Sequence, residues 1–270
     1  LCDEGALETI DLSVLKPGPD GSTPEDDFLP GALTDCFVAT DVWSMVMAYD
    51  DSKFPDAKPS TPADFFDTAK FPGKRTLRKG AKFNLEFALM ADGVAPADVY
   101  DVLATPEGVD QAFAKLDTIK GDVVWWEAGA QPPQLLADGE VTMAYAFNGR
   151  IFNAAIGENK PFNIVWTGQV YEMEGWIIPK GAPNKDNALK YIAFSTEAER
   201  LARAAELISY GPTRKSSSAL VGNVDGKDIA MSPHLPTTPG NIEQGINSNA
   251  DFWVDHDSEL SERFNAWLAS

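Results

Sequence analysis

Only two cysteines and two histidines occur among 270 residues, and that scarcity removes several chemistries at the outset. Cys2 and Cys36 stand in no CxxC pair and near no histidine at metal-ligand spacing, so neither a zinc site nor any other metal is expected. His234 in SPHLP and His256 in VDHDS neighbour no nucleophile motif, which leaves a Ser-His-Asp or Cys-His enzyme unsupported. Walker, GxGxxG and HExxH patterns are missing too, and with them any expectation of a bound nucleotide, a zinc hydrolase or a cofactor. No apolar stretch approaches the roughly 20 residues of a membrane helix. The opening LCDEGALETIDLS has neither the basic nor the apolar region of a signal peptide and does not begin with Met. It reads as a processed or partial chain, so a missing signal carries no information about export.

Positive charge is also scarce. Twenty-two Lys and Arg face 41 Asp and Glu, a formal net charge of −19. Such a balance repels nucleic acid and anionic membrane and favours small cationic partners, although net charge alone describes no pocket. With 44% apolar and 23% charged residues the chain has the make-up of a folded globular protein. In an oxidising compartment Cys2 and Cys36 would bridge, which would stabilise by roughly 3–4 kcal/mol through loop closure. In a reducing one they would be two thiols, and composition leaves both open.

What is present alternates between strand and helix patterns. Lys16 to Pro30 (KPGPDGSTPEDDFLP) reads as a surface loop, and CFVATDVWSMVMAY, Cys36 to Tyr49, as one or two strands. Ser60 or Thr61 caps a helix through Phe66, and Lys74–Arg78 is a strand before a helix at Asn84–Met90. Val109, Phe113, Leu116 and Ile119 recur at helical spacing after Thr105. Strands are predicted at 122–126, 141–147, 162–166 and 170–178, with helices at 132–137, 150–156 and 185–194. Thr196-Glu-Ala-Glu199 has the form of a capping box opening a further helix, and 251–268 is amphipathic. The order is α/β, with a mostly parallel sheet or two of them.

The basic run Lys74, Arg75, Arg78, Lys79 and Lys82 reads as a solvated strand edge rather than an anion site. Aromatic and acidic residues at strand ends are more informative. Trp125, Trp126 and Glu127 end one strand, Phe147 ends the next before Asn148-Gly149-Arg150, and Tyr171, Glu172 and Glu174 lie on a third. Ligands in α/β sheets bind beyond the carboxyl ends of strands. An aromatic face supplies about 0.5–2 kcal/mol of attraction to an ammonium group, and a carboxylate completes the pairing. The competing reading of these aromatics is core packing. Alternation puts Glu172 and Glu174 on one face, either solvent or a wet cleft.

Several motifs taken in order, FPGKRTLRKGAKFNLEFALMADGV, VVWWEAGAQPPQLLADGEV, FNGRI, the Glu172–Pro179 strand, KGAPNKDNALKYIAF and YGPTRK, resemble the spermidine/putrescine-binding family of ABC-importer substrate-binding proteins. The resemblance runs from about Cys2 to Ser270. It implies a two-lobed α/β fold of the type II periplasmic-binding-protein kind, with a ligand enclosed between lobes joined by hinge strands near Asp50 and Glu172. Lobe I would comprise 1–51 with 174–224 and lobe II 52–173 with 225–270, a strand–helix–strand unit preceding them in relatives. It also implies a periplasmic location, where Cys2 and Cys36 could pair, no catalysis, a monomer, and delivery of a small amine to a membrane permease. By position, Phe147 matches a stacking aromatic, Glu174 an ammonium-pairing aspartate, Tyr210 a cleft tyrosine and Trp126 to Gln131, including Glu127, a cleft loop. Two departures stand out. Asn84 stands near an acidic ligand residue of the spermidine binders, and Arg150 stands where a putrescine-binding relative has aspartate. Arginine there would repel a second ammonium and clamp a carboxylate, so Arg150 with Glu174 suits a zwitterion such as γ-aminobutyrate. The bland alternative for Arg150 is a surface salt bridge. A rival class is a carboxylate glycosidase using Glu127 and Glu174 as acid and base.

Overall fold

The computed structural model describes residues 1–270 and contains eight strands. They are β1 (Leu33–Thr34), β2 (Phe37–Asp50), β3 (Arg75–Arg78), β4 (Val123–Trp126), β5 (Met143–Phe147), β6 (Phe162–Trp176), β7 (Gly211–Pro212) and β8 (Ile246–Asn247). The first six helices are α1 (Pro24–Asp27), α2 (Pro62–Phe66), α3 (Asn84–Ala91), α4 (Val99–Leu103), α5 (Pro106–Asp117) and α6 (Gln131–Ala137). Then follow α7 (Asn148–Phe152), α8 (Lys185–Ser195), α9 (Ala198–Leu207), α10 (Lys215–Ser218), α11 (Pro239–Ile242) and α12 (Ala250–Ala269). No helix is long and apolar enough to cross a membrane.

The chain divides into two compact units: unit 1 is Leu1–Trp43 with Glu172–Pro239, and unit 2 is Ser44–Tyr171 with Gly240–Ser270. The chain passes from one unit to the other after 43, 171 and 239. Two of the three fall inside unbroken strands, β2 and β6, where periodicity gives no mark of a boundary.

In unit 2, β3 lies between β4 and β5 and runs parallel to both, with Arg75 opposite Val123 on one side and Met143 on the other. β5 pairs antiparallel with the second half of β2, Met45 opposite Phe147, and β6 pairs parallel with β8. The expected mostly parallel sheet is therefore mixed. β2 is antiparallel to β1, β5 and β7, a direction that a continuous apolar run cannot reveal. An apolar layer of Ala48, Leu136, Val141, Ala144, Ala146, Ile151 and Phe162 packs on this sheet. Unit 1 builds its core from Ile10, Leu15, Phe28, Val38, Ala39, Ile178 and Ile192, with β1 and β7 antiparallel to the first half of β2. A disulfide joins Cys2 to Cys36, tying the start of the chain to the foot of β2.

Three local expectations change. The two strands predicted at 162–166 and 170–178 are one, because Gly168 carries the chain through at φ +75°; a Cβ there would stand 2.4 Å from the Pro62 ring. The capping box at Thr196 does not form. Its buried hydroxyl donates instead to the Ile192 carbonyl at 2.7 Å, finishing α8, and Glu197 takes the N-cap position of α9. The basic run is not a solvated edge, since β3 is an interior strand and Arg75 is fully buried. Its guanidinium donates to the carbonyls of Phe65, Asp67, Phe71 and Gly73. Of Ser60 and Thr61 it is Thr61 that caps α2, exchanging bonds with Asp64, and Thr105 caps α5 as expected.

Candidate functional site

Because β3, β4 and β5 are parallel, their carboxyl ends at Arg78, Trp126 and Phe147 fall at the same end of unit 2. Trp126 is 1% exposed, and its Nε1 donates to the Tyr145 carbonyl at 3.0 Å. Its ring meets Phe147 edge-on, with centroids 5.4 Å apart and planes at 73°. Trp126 therefore backs Phe147, which is the half-buried ring of the pair.

Beyond Trp126 the chain is folded back by Gln131, whose Oε1 accepts the amides of Glu127 and Ala128, each at 2.8 Å. The turn lays Gly129 against Phe147, where a Cβ would stand 2.9 Å from the ring and 3.9 Å from Nε of Arg150. Only glycine fits so close an approach. Arg150 sits on α7, three residues after Phe147; it is exposed and has no hydrogen-bond or ion-pair partner, so the salt bridge weighed for it does not form. It lines a small cavity with Gln134, Asn153 and Glu158.

Two other expected residues are engaged elsewhere. Asn84 is 1% exposed and spends its amide hydrogens on the carbonyls of Arg78 and Gly80, at 2.6 and 2.7 Å, closing the loop before α3. Glu127 is exposed and pairs with Lys79 at 3.0 Å. It belongs to unit 2 and Glu174 to unit 1.

Unit 1 carries the acidic candidates Glu172 and Glu174. Glu172 is half-buried and Glu174 exposed on β6, spaced for the same face as alternation requires. Beside them on β2, the Thr40 hydroxyl lies 2.7 Å from Oδ2 of Asp41 and 3.2 Å from the Glu174 carbonyl. Oδ1 of Asp41 is buried and has no partner. Burial pushes the Asp41 carboxyl above its ordinary range; the Thr40 hydroxyl opposes this and the Glu174 charge adds to it. Tyr210, half-buried, directly precedes β7, whose Gly211 and Pro212 pair with Val42 and Asp41. The fold thus sets Glu174 and Tyr210 on the strands that flank Asp41, an acid that none of the sequence motifs marks. The available signal was an acid in the middle of the apolar run FVATDVWSMVMAY.

Comparison with known proteins gives this arrangement its context. The chain is 50% identical over 268 residues, 99% of its own length and 72% of the relative's, to the gamma-aminobutyric acid-binding protein of Pseudomonas aeruginosa. The spermidine/putrescine-binding periplasmic protein of Escherichia coli is more distant, at 26% identity over 57% of this chain and 45% of that one. Among solved structures, one described as a GABA receptor superposes with a TM-score of 0.78 at 34% identity, covering 99% of this chain and 77% of the other. Together with the strand-end geometry these likenesses belong to proteins that hold solutes rather than transform them, and the glycosidase alternative is set aside. A family model described as bacterial extracellular solute-binding protein matches residues 1–237, and the chain belongs to that family.

Proposed function

We propose that this protein captures γ-aminobutyrate, or an ω-amino acid much like it, in the periplasm and presents it as a monomer to the permease of an ABC importer. A zwitterion needs groups of both signs, and the two units, each taken by itself, carry them. Phe147 supplies a ring face and Arg150 a guanidinium from unit 2; Glu174, with Glu172 and Tyr210 near it, supplies anionic and hydroxyl groups from unit 1. Trp126 and Asn84 act behind this layer, one buttressing Phe147 and the other bracing a loop.

The observation that carries the reading is Arg150. An exposed arginine in a chain with 41 acidic side chains, paired with none of them, is placed for an anion that comes from outside. A polyamine has no such anion and brings a second positive charge that Arg150 would repel. The 50% identity to a GABA binder, against 26% to a polyamine binder, points the same way.

Calorimetric titration tests it. Wild type should bind γ-aminobutyrate more tightly than putrescine or spermidine. Arg150→Met should weaken γ-aminobutyrate by about 1.5–3 kcal/mol, roughly 10- to 150-fold, as expected for a lost charge-assisted bond. A wild-type preference for putrescine, or an Arg150→Met variant with unchanged affinity, removes the zwitterion from the proposal.

A further inference from the structure

Asp41 is the one acid of the unit 1 set that no sequence feature assigned, and its surroundings are unusual for a surface carboxylate. Oδ2 has the Thr40 hydroxyl, Oδ1 is buried without a partner, and Glu174 is close enough for its charge to be felt. The titratable residues singled out on the strands that flank it are Glu174 and Glu172 on β6 and Tyr210 just before β7. The nearest arginine in sequence on that side, Arg214, is committed to Asp27 at 2.6 Å. A carboxylate beside another and without a cation is most easily kept by holding a proton.

We propose that Asp41 is the second carboxylate of the amine-binding set, and that the ammonium end of the solute displaces a proton from Asp41 as it binds. The inference rests on the role proposed above for Glu174. In the empty protein Asp41 holds a proton over part of the pH range, next to the charge of Glu174. When R–NH3+ arrives, the pair keeps both charges, the proton passes to solvent, and no covalent bond to the solute forms or breaks. Selection then favours a full positive charge, because a neutral amine or an alcohol of the same size could not drive the proton off. It also makes affinity pH-dependent with a defined sign. Below the raised pKa of Asp41 a proton must leave, so binding strengthens as pH rises, by up to tenfold per unit, and levels off above that pKa.

The experiment is calorimetric titration of γ-aminobutyrate in two buffers of different ionisation enthalpy, from about pH 4 to pH 8 around the ordinary carboxylate range. The difference in heat counts protons released. Wild type should release up to one proton on the acidic limb and none on the plateau. Asp41→Asn, which keeps the Thr40 contact, should bind more weakly and release none on that limb. Thr40→Val, which removes the hydroxyl that favours the charged form, should move the limb to higher pH with the same proton count. Tight binding with no proton release at any pH overturns the role of Asp41 while leaving the zwitterion reading intact. Failure of γ-aminobutyrate, putrescine and spermidine all to bind overturns both.

Discussion

Both units bury a carboxylate, and they keep it by opposite means. In unit 1, Asp27 receives Nε of Arg214 at 2.6 Å and the amide and hydroxyl of Ser216 at 2.8 and 2.7 Å. Burial pushes its pKa up, but the bonds from Ser216 and Arg214 more than offset this and hold it below the ordinary range. In unit 2, Glu86 of α3 is fully buried with no cation. Oε1 accepts from Tyr100 at 3.0 Å and from Nε1 of Trp253 at 2.8 Å, and Oε2 has no partner. Burial raises its pKa to about 7, against hydrogen bonds that lower it. His256, the nearest titratable ring on α12, lies on Phe252 rather than on Glu86. Asp27 therefore stores a charge and Glu86 stores a proton.

The largest effect should come from breaking the stored charge. Arg214 also donates to the carbonyls of Thr196 and Lys16, so it joins the loop before α1 to the turn between α8 and α9. Arg214→Met leaves Asp27 buried and unpaired and should cost about 3–5 kcal/mol in urea unfolding. Adding Asp27→Leu should return most of that loss, since removing both ends of a buried pair is often neutral. A single variant within about 1 kcal/mol of wild type would mean that Asp27 reaches water and the contrast between the units is false.

The sequence made the α/β order legible because helical core faces recur at their own period, as in α5 and α12, while β5 reads as a short apolar run buried on both faces. It offered Phe147, Glu174 and Tyr210 as candidates by their place in family motifs. It hid what depends on pairing across the chain. The buried state of Arg75 is decided by four carbonyls gathered around it by the fold, and Thr196 by the carbonyl of the preceding turn. Asp41 was hidden in a run that reads as core, and its partner Glu174 is 133 positions away. Periodicity speaks for a segment's own face and is silent about which acid will stand beside which.

The stored proton gives a smaller effect with an unmistakable pH signature. With a folded pKa of about 7 against an ordinary 4.5, Glu86 binds its proton more tightly folded than unfolded. Its contribution is therefore fully present below about pH 4.5 and is lost as pH rises through about 7. Over those 2.5 units the loss amounts to roughly 3 kcal/mol. Glu86→Gln should match wild type near pH 4 and exceed it above pH 7 by up to that amount, on the order of 3 kcal/mol. Two unfolding curves that stay parallel across this window would show Glu86 to be charged and hydrated, and the units alike.

The finest discrimination concerns the bond that Trp253 makes to Glu86, because its strength should depend on which form of the acid it meets. Trp253 is 4% exposed on α12, and a Phe in its place keeps an aromatic ring while removing the Nε1 donor. Below about pH 4.5 the bond is to a neutral acid and worth about 1 kcal/mol; above about 7 it is to a carboxylate and worth about 2. Trp253→Phe should thus be more destabilising at high pH than at low, by about 1 kcal/mol beyond the constant packing loss. In the Glu86→Gln background that pH dependence should vanish, since glutamine presents the same neutral acceptor throughout. A penalty that keeps its slope in that background would assign the pH dependence of α12 to groups other than Glu86.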